Sequence, residues 1–276
     1  MKPALCNEVI AAFDWPRQCA FSAALGFRGL EVAPYTLGAE PHLIGAGEAA
    51  RLKRTAADAG IAVAGLHWLL IAPKGLSITD ADPAIRDRTR DVMRRLIDLC
   101  AELGGQYLVH GSPHQRRLPE GADRAAARER AIETLALAAR AAEAAGVTYC
   151  LEALAPPDAN FVNRIAEAAE IVRRIGSPGL RTMIDCSAAG LTEGEPLEAV
   201  ADRWLPTGLI AHVQVNDRNR RGPGQGGDRF LPLFQALKRW NYDGWIAAEP
   251  FDYVPDGPAA AAHAAGYVKA LMESLS

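Results

Sequence analysis

The sequence predicts an α/β protein, a single (β/α)8 barrel over residues 1–276, on three observations. Short apolar runs alternate with helical segments eight times along the chain. Several helical segments end in a glycine just before the next apolar run: Gly26, Gly60, Gly104, Gly146 and Gly176. No low-complexity linker or composition break divides the 276 residues.

The units run in order. The run 4–6 (ALC) precedes a helix near 15–25, and 29–33 (GLEVA) precedes one near 47–59. The run 61–66 (IAVAGL) precedes 84–103, and 107–109 (YLV) precedes the alanine-rich helix 124–145, whose composition is strongly helix-forming. The fifth to eighth runs are 148–151, 181–184, 209–215 and 245–248, with helices near 164–175, 197–204, 232–240 and 260–274. A doubly wound open sheet is the alternative. GPGQGG at 222–227 matches the spacing of a dinucleotide-binding loop, but it contains Pro223, follows a polar turn and sits late in the chain. It reads instead as a mobile loop after strand seven.

Composition narrows the function. The chain is 49% hydrophobic and 23% charged with a net charge of -3, so no basic excess points to nucleic acid or an anionic membrane as partner. No apolar run approaches a membrane span and the first residues lack a signal-peptide pattern, so a soluble cytoplasmic protein is expected. Five cysteines without a CxxC pair read as buried free thiols.

In a barrel of this kind the active site lies at the C-terminal ends of the strands. Strands five to eight end in Glu152, Asp185, Gln214 and Glu249. Strand parity turns all four toward the lumen, and it puts His212, Gln214 and Asn216 on one face of strand seven. A single buried carboxylate usually caps a helix or pairs with an arginine. Three at one mouth repel one another unless a cation sits among them. An all-oxygen ligand set suits Mg²⁺ or Mn²⁺, with Co²⁺ or Zn²⁺ as lesser fits. Asn7, Glu31, His67 and His110 end strands one to four and are candidate substrate contacts. His114, Arg116 and Arg117 (HQRR) read as a solvated charged loop after strand four, and Trp15 and Trp68 as either pocket wall or core.

The stretches CLEAL, MIDCS, AHVQVNDRNRRGPGQG and YDGWIAAEPF, with GFRGLEVAPY near the start, resemble the xylose-isomerase-like TIM barrels and, within them, the ketose 3-epimerases of the tagatose and psicose type. The resemblance is strongest over residues 147–257. It implies one divalent metal on Glu152, Asp185, position 214 and Glu249, with Gln214 standing where the family usually has histidine. It further implies that Asp158 and Arg220 contact substrate and that His212 does not bind metal. A substrate histidine three residues after the Asp ligand is replaced by Ala188.

The function expected is a sugar epimerase or isomerase acting on a small keto-sugar or keto-polyol. Glu152 and Glu249 would remove and return a proton next to the carbonyl through a metal-stabilised enediolate. A dehydratase of a cyclic keto-polyol, such as an inosose or dehydroshikimate, is the alternative on the same scaffold, and Gln214 and Ala188 lean that way. An endonuclease IV-like DNA-cleaving barrel would need more histidine ligands than this pattern offers. A catalytically silent barrel acting as a binding subunit is the remaining alternative. The expected assembly is a homodimer or homotetramer.

Overall fold

Each apolar run becomes a parallel strand buried on both faces, because helices cover the outside of the sheet and side chains fill its interior. The structure, a computed structural model, describes residues 1–275. The strands are β1 (Lys2–Cys6), β2 (Gly29–Val32), β3 (Ala62–Leu66), β4 (Tyr107–His110), β5 (Thr148–Leu151), β6 (Leu180–Asp185), β7 (Ile210–Val215) and β8 (Trp245–Ala248). They pair in chain order, and β8 closes on β1, as the predicted barrel requires. The register sets Asp185 beside Gln214, and Gln214 beside Ala247, so the ends of β6, β7 and β8 lie level at one rim.

The helices are α1 (Trp15–Ala24), α2 (Ala46–Asp58), α3 (Pro83–Leu103), α4 (Arg124–Ala145), α5 (Ile165–Ile175), α6 (Cys186–Thr192), α7 (Leu197–Trp204), α8 (Leu231–Arg239) and α9 (Gly257–Glu273). Eight were expected; α6 is the addition. It is too short to show periodicity, and it starts directly from β6 because Asp185 caps it, accepting from the Ala188 N–H at 2.7 Å. α9 begins before the expected position 260 because the Asp256 side chain accepts from Ala259 N–H and Pro258 occupies the first turn. Gly104, Gly146 and Gly176 cap α3, α4 and α5 with left-handed backbone, which glycine adopts without a Cβ penalty.

The barrel interior is a packed core with a polar floor. Gly65 on β3 leaves room for the Tyr107 ring, which stacks on His212 with centroids 3.9 Å apart. All five cysteines are buried and free, as expected. Among the described residues no helix is long and apolar enough to cross a membrane. GPGQGG falls in the loop between β7 and α8 and does not open that helix, as a dinucleotide-binding loop would.

Candidate metal centre and active site

The site is built from strand ends, and each end is fixed by neighbours. Asp185 is held twice: Oδ1 by the Ala188 N–H, Oδ2 by Asn216 Nδ2 at 2.8 Å. Asn216 also accepts from Ser187 N–H through Oδ1 at 2.8 Å, so one carboxamide clasps the start of α6 to the end of β7. Gln214 donates through Nε2 to Glu31 Oε1 at 2.7 Å. A carboxylate accepts only, so this bond fixes the amide orientation. Gln214 Oε1 is then left buried with no partner among the described residues.

Glu31 accepts from the Tyr107 hydroxyl as well, and its Oε2 lies 2.7 Å from His212 Nε2. Burial alone would raise its pKa, yet the contacts with His212, His67 and Tyr107 draw it down to about 2. His67 stands between two acids, with Nδ1 at 3.0 Å from Glu249 Oε1 and Nε2 at 2.9 Å from Glu8 Oε2. Burial opposes its charge, but Glu8, Glu249 and Glu31 outweigh that and hold the imidazole protonated well above its ordinary range.

The carboxylates of Glu152, Asp185 and Glu249 converge, with one oxygen from each lying within 4.8 Å of the others. Burial is the first cause of raised pKa at all three. Mutual repulsion adds to it at Glu152 and at Glu249, which rises to about 8. Asp185 rises to about 6, with the Ala188 and Asn216 bonds opposing the rise. Glu249 Oε2 is buried without a partner. The Glu152 carboxylate sits where a side chain on residue 111 would be, and only glycine leaves that space. Behind it Arg116 is fully buried and donates to the Glu152 carbonyl at 2.6 Å.

This donor set fits a divalent cation. Three crowded carboxylates need positive charge among them, and on the adjoining strand Gln214 Oε1 is a hard oxygen buried without a partner among the described residues. Above the carboxylates opens a cavity of about 540 Å³ lined by His67, Trp68, Asp158, Arg220 and Phe251 among others. Asp158 and Arg220 pair at 3.1 Å on its rim, both about half exposed. The Arg220 guanidinium lies over the Phe251 ring at 4.9 Å.

The expectations for the other strand ends divide. His67 reaches the cavity. His110 does not: Val109 and Gly111 face the cavity, and the intervening His110 turns outward to the Tyr149 hydroxyl at 2.7 Å. Burial and the nearby Arg116 hold its pKa down near 3. Asn7 also turns away, donating to Gln18 and Thr36 and accepting from Ala33 N–H. Glu31 faces the lumen but lies beneath the cavity and orients Gln214. In HQRR, His114 lines the cavity and Arg117 is exposed, whereas Arg116 is buried on backbone carbonyls and is no part of a solvated loop. Trp68 lines the cavity; Trp15 donates to Leu52 carbonyl on α2. Glu8, Gly111 and the clasp role of Asn216 were missed. Glu8 lies in the 3-10 turn Asn7–Ile10 beyond β1, where strand alternation no longer tells which way a side chain points.

A closed barrel carrying acids at the C-terminal rim of β5, β6 and β8 defines a class, and the chain belongs to the xylose isomerase-like TIM barrel family, whose model matches residues 19–271. Among curated relatives, the D-psicose 3-epimerase of Ruminiclostridium cellulolyticum is 26% identical over 179 residues, 63% of this chain and 59% of that protein. The 2-oxo-tetronate isomerase of Cupriavidus necator is 32% identical over 134 residues, 48% of this chain and 51% of that one. The chain thus spans between half and three fifths of these two relatives. The structure of an L-ribulose 3-epimerase superposes with a TM-score of 0.84 at 23% identity, covering 99% of this chain and 95% of that one, which shows the shared fold.

Proposed function

We propose that this protein is a divalent-metal-dependent epimerase or isomerase of a keto-sugar, moving a proton at the carbon next to a carbonyl. The observation that supports it most is the convergence of Glu152 and Glu249, from β5 and β8, on one cavity beside Asp185. The relatives' names, 3-epimerase and isomerase, describe reactions of this kind.

Glu152 and Glu249 are the proton-transfer pair. Glu152 has no side-chain partner among the described residues and presents its carboxylate to the cavity over Gly111. Glu249 keeps Oε2 free while His67 holds Oε1, so its carboxylate is oriented without being used up. Glu152, Asp185, Gln214 and Glu249 would hold a divalent cation, Mn²⁺ or Mg²⁺, which would supply positive charge to stabilise the charge that develops as the proton leaves. One glutamate takes the proton from one face of the substrate and the other returns one to the opposite face. Asp158 and Arg220 steady hydroxyl groups at the rim.

The test is proton exchange. The manganese-loaded protein is incubated with a panel of keto-sugars in D₂O, and label is sought at the carbon beside the carbonyl. Glu152→Gln and Glu249→Gln each lower the exchange rate by about 10²–10⁴-fold. Exchange retained in both variants would show that these are not the acid and base. The dehydratase reading shares the first step and draws on Gln214 and Ala188. It yields a conjugated product with ultraviolet absorbance, which epimerisation does not.

A further inference from the structure

Above its carboxylates the cavity changes character. The floor carries Glu152, Asp185, Glu249 and His67, whereas much of the wall is apolar. Trp68 and Phe251 meet edge to face there, with centroids 6.3 Å apart. Ala188 and Leu191, three residues apart on α6, turn one helix face to the same space. Leu191 is 58% exposed, the most of any large apolar side chain among the described residues, so no part of the described chain covers it.

The backbone at Trp68 is left-handed, with φ 51°. That conformation is strained for a bulky residue and persists only where the surroundings enforce it, which is common at ligand sites. The cavity's two arginines each carry a carboxylate of their own. Arg218 is 2.6 Å from Asp228 and Arg220 is 3.1 Å from Asp158. Neither stands free for a phosphate group.

Resting on the reading that the carboxylates act on a keto-sugar, we propose that the substrate is an uncharged keto-glycoside with an apolar aglycone. The sugar lies on the polar floor and the aglycone packs on Trp68, Phe251 and Leu191. A free sugar offers only its small C–H faces to an aromatic ring and carries no larger apolar group to cover the rest of this wall. An aryl or alkyl aglycone removes that apolar surface from water.

The test uses inert sugars, so it does not depend on turnover. Phenyl D-glucopyranoside and methyl D-glucopyranoside, both anomers of each, are titrated calorimetrically into the manganese-loaded protein. The phenyl glycoside binds at least about tenfold more tightly, and Leu191→Asp, at an exposed position, cuts that preference to below about threefold. Equal binding of phenyl and methyl sugars, binding of neither, or a preference untouched by Leu191→Asp would overturn the proposal. Phenyl-selective binding without D₂O exchange on any keto-sugar would instead remove the proton-transfer reading and leave the aglycone site standing.

Discussion

At the scale of single residues the site depends on what lies one step behind the candidate ligands. Gly111 shows this most directly. Its backbone is not left-handed, so alanine fits the main chain, but its Cβ would fall on Glu152 Oε2. Gly111→Ala therefore displaces one carboxylate. The expected result is a manganese affinity lowered at least about tenfold with the fold intact, checked by calorimetric titration and circular dichroism. In Glu31→Gln the new carboxamide can donate to Gln214 as well as accept from it, so the Gln214 orientation is no longer fixed, and manganese binding should weaken by about 10–100-fold, though Glu31 is not among the candidate ligands. Residues of this kind were hard to read from sequence. Glu152, Asp185 and Glu249 were legible because a carboxylate amid apolar strand residues stands out. His110 was misread because YLVHG is apolar or small on both faces, and only the lumen position of Tyr107 shows which alternate residues point inward. Glu8 was hidden because a 3-10 turn, Asn7–Ile10, carries it past the end of the strand.

At the scale of elements, Asp185 does two jobs that substitution can separate. It caps α6 and, on the proposed reading, would offer an oxygen to a divalent cation. Asparagine is as good a cap as aspartate, so Asp185→Asn keeps α6 while losing a charged ligand. The metal-free Asp185→Asn protein loses a repelling carboxylate but turns an amide NH2 toward the Asn216 Nδ2 donor, and it should bind manganese poorly. Asp185→Ala loses the cap too, and should be less stable than Asp185→Asn by about 1 kcal/mol in urea denaturation. A thermal melt in which Asp185→Asn falls well below Asp185→Ala would contradict this division of roles. The strand–helix alternation was legible throughout. α6 was not, because its signal is a cap whose donor lies in a helix of seven residues.

At the scale of the whole molecule, the rim opposes folding unless its charge is balanced. In the folded protein burial and crowding push Asp185 up to about 6 and Glu249 up to about 8, above the ordinary carboxylate range of about 4, and Glu152 is raised as well. The folded chain then holds protons that the unfolded chain has released, so the stability of the metal-free protein falls as pH rises from about 4 through about 8. Glu31 runs the other way but, with a folded pKa of about 2, loses its contribution only in more acid solution. A divalent cation replaces the missing protons. Manganese should raise the melting temperature more at pH of about 8 than at about 5.5, against a chelator control. Equal shifts at both pH values would mean that the ion binds away from these acids. The barrel itself was legible from eight repeats of one pattern, whereas the outward turn of Asn7 depends on α1 and the segment after β2 folding against it.

The left-handed backbone of Arg220, φ 70°, aims its carbonyl at two donors, and the N–H groups of Phe251 and Asp252 both bond to it at 2.8 Å. The lips that follow β7 and β8 are thus stitched together by main chain. Stitches of that sort do not depend on which side chains hang from them. The mouth can therefore exchange its aromatic and charged fittings for others, and so change what it admits, while its outline stays in place.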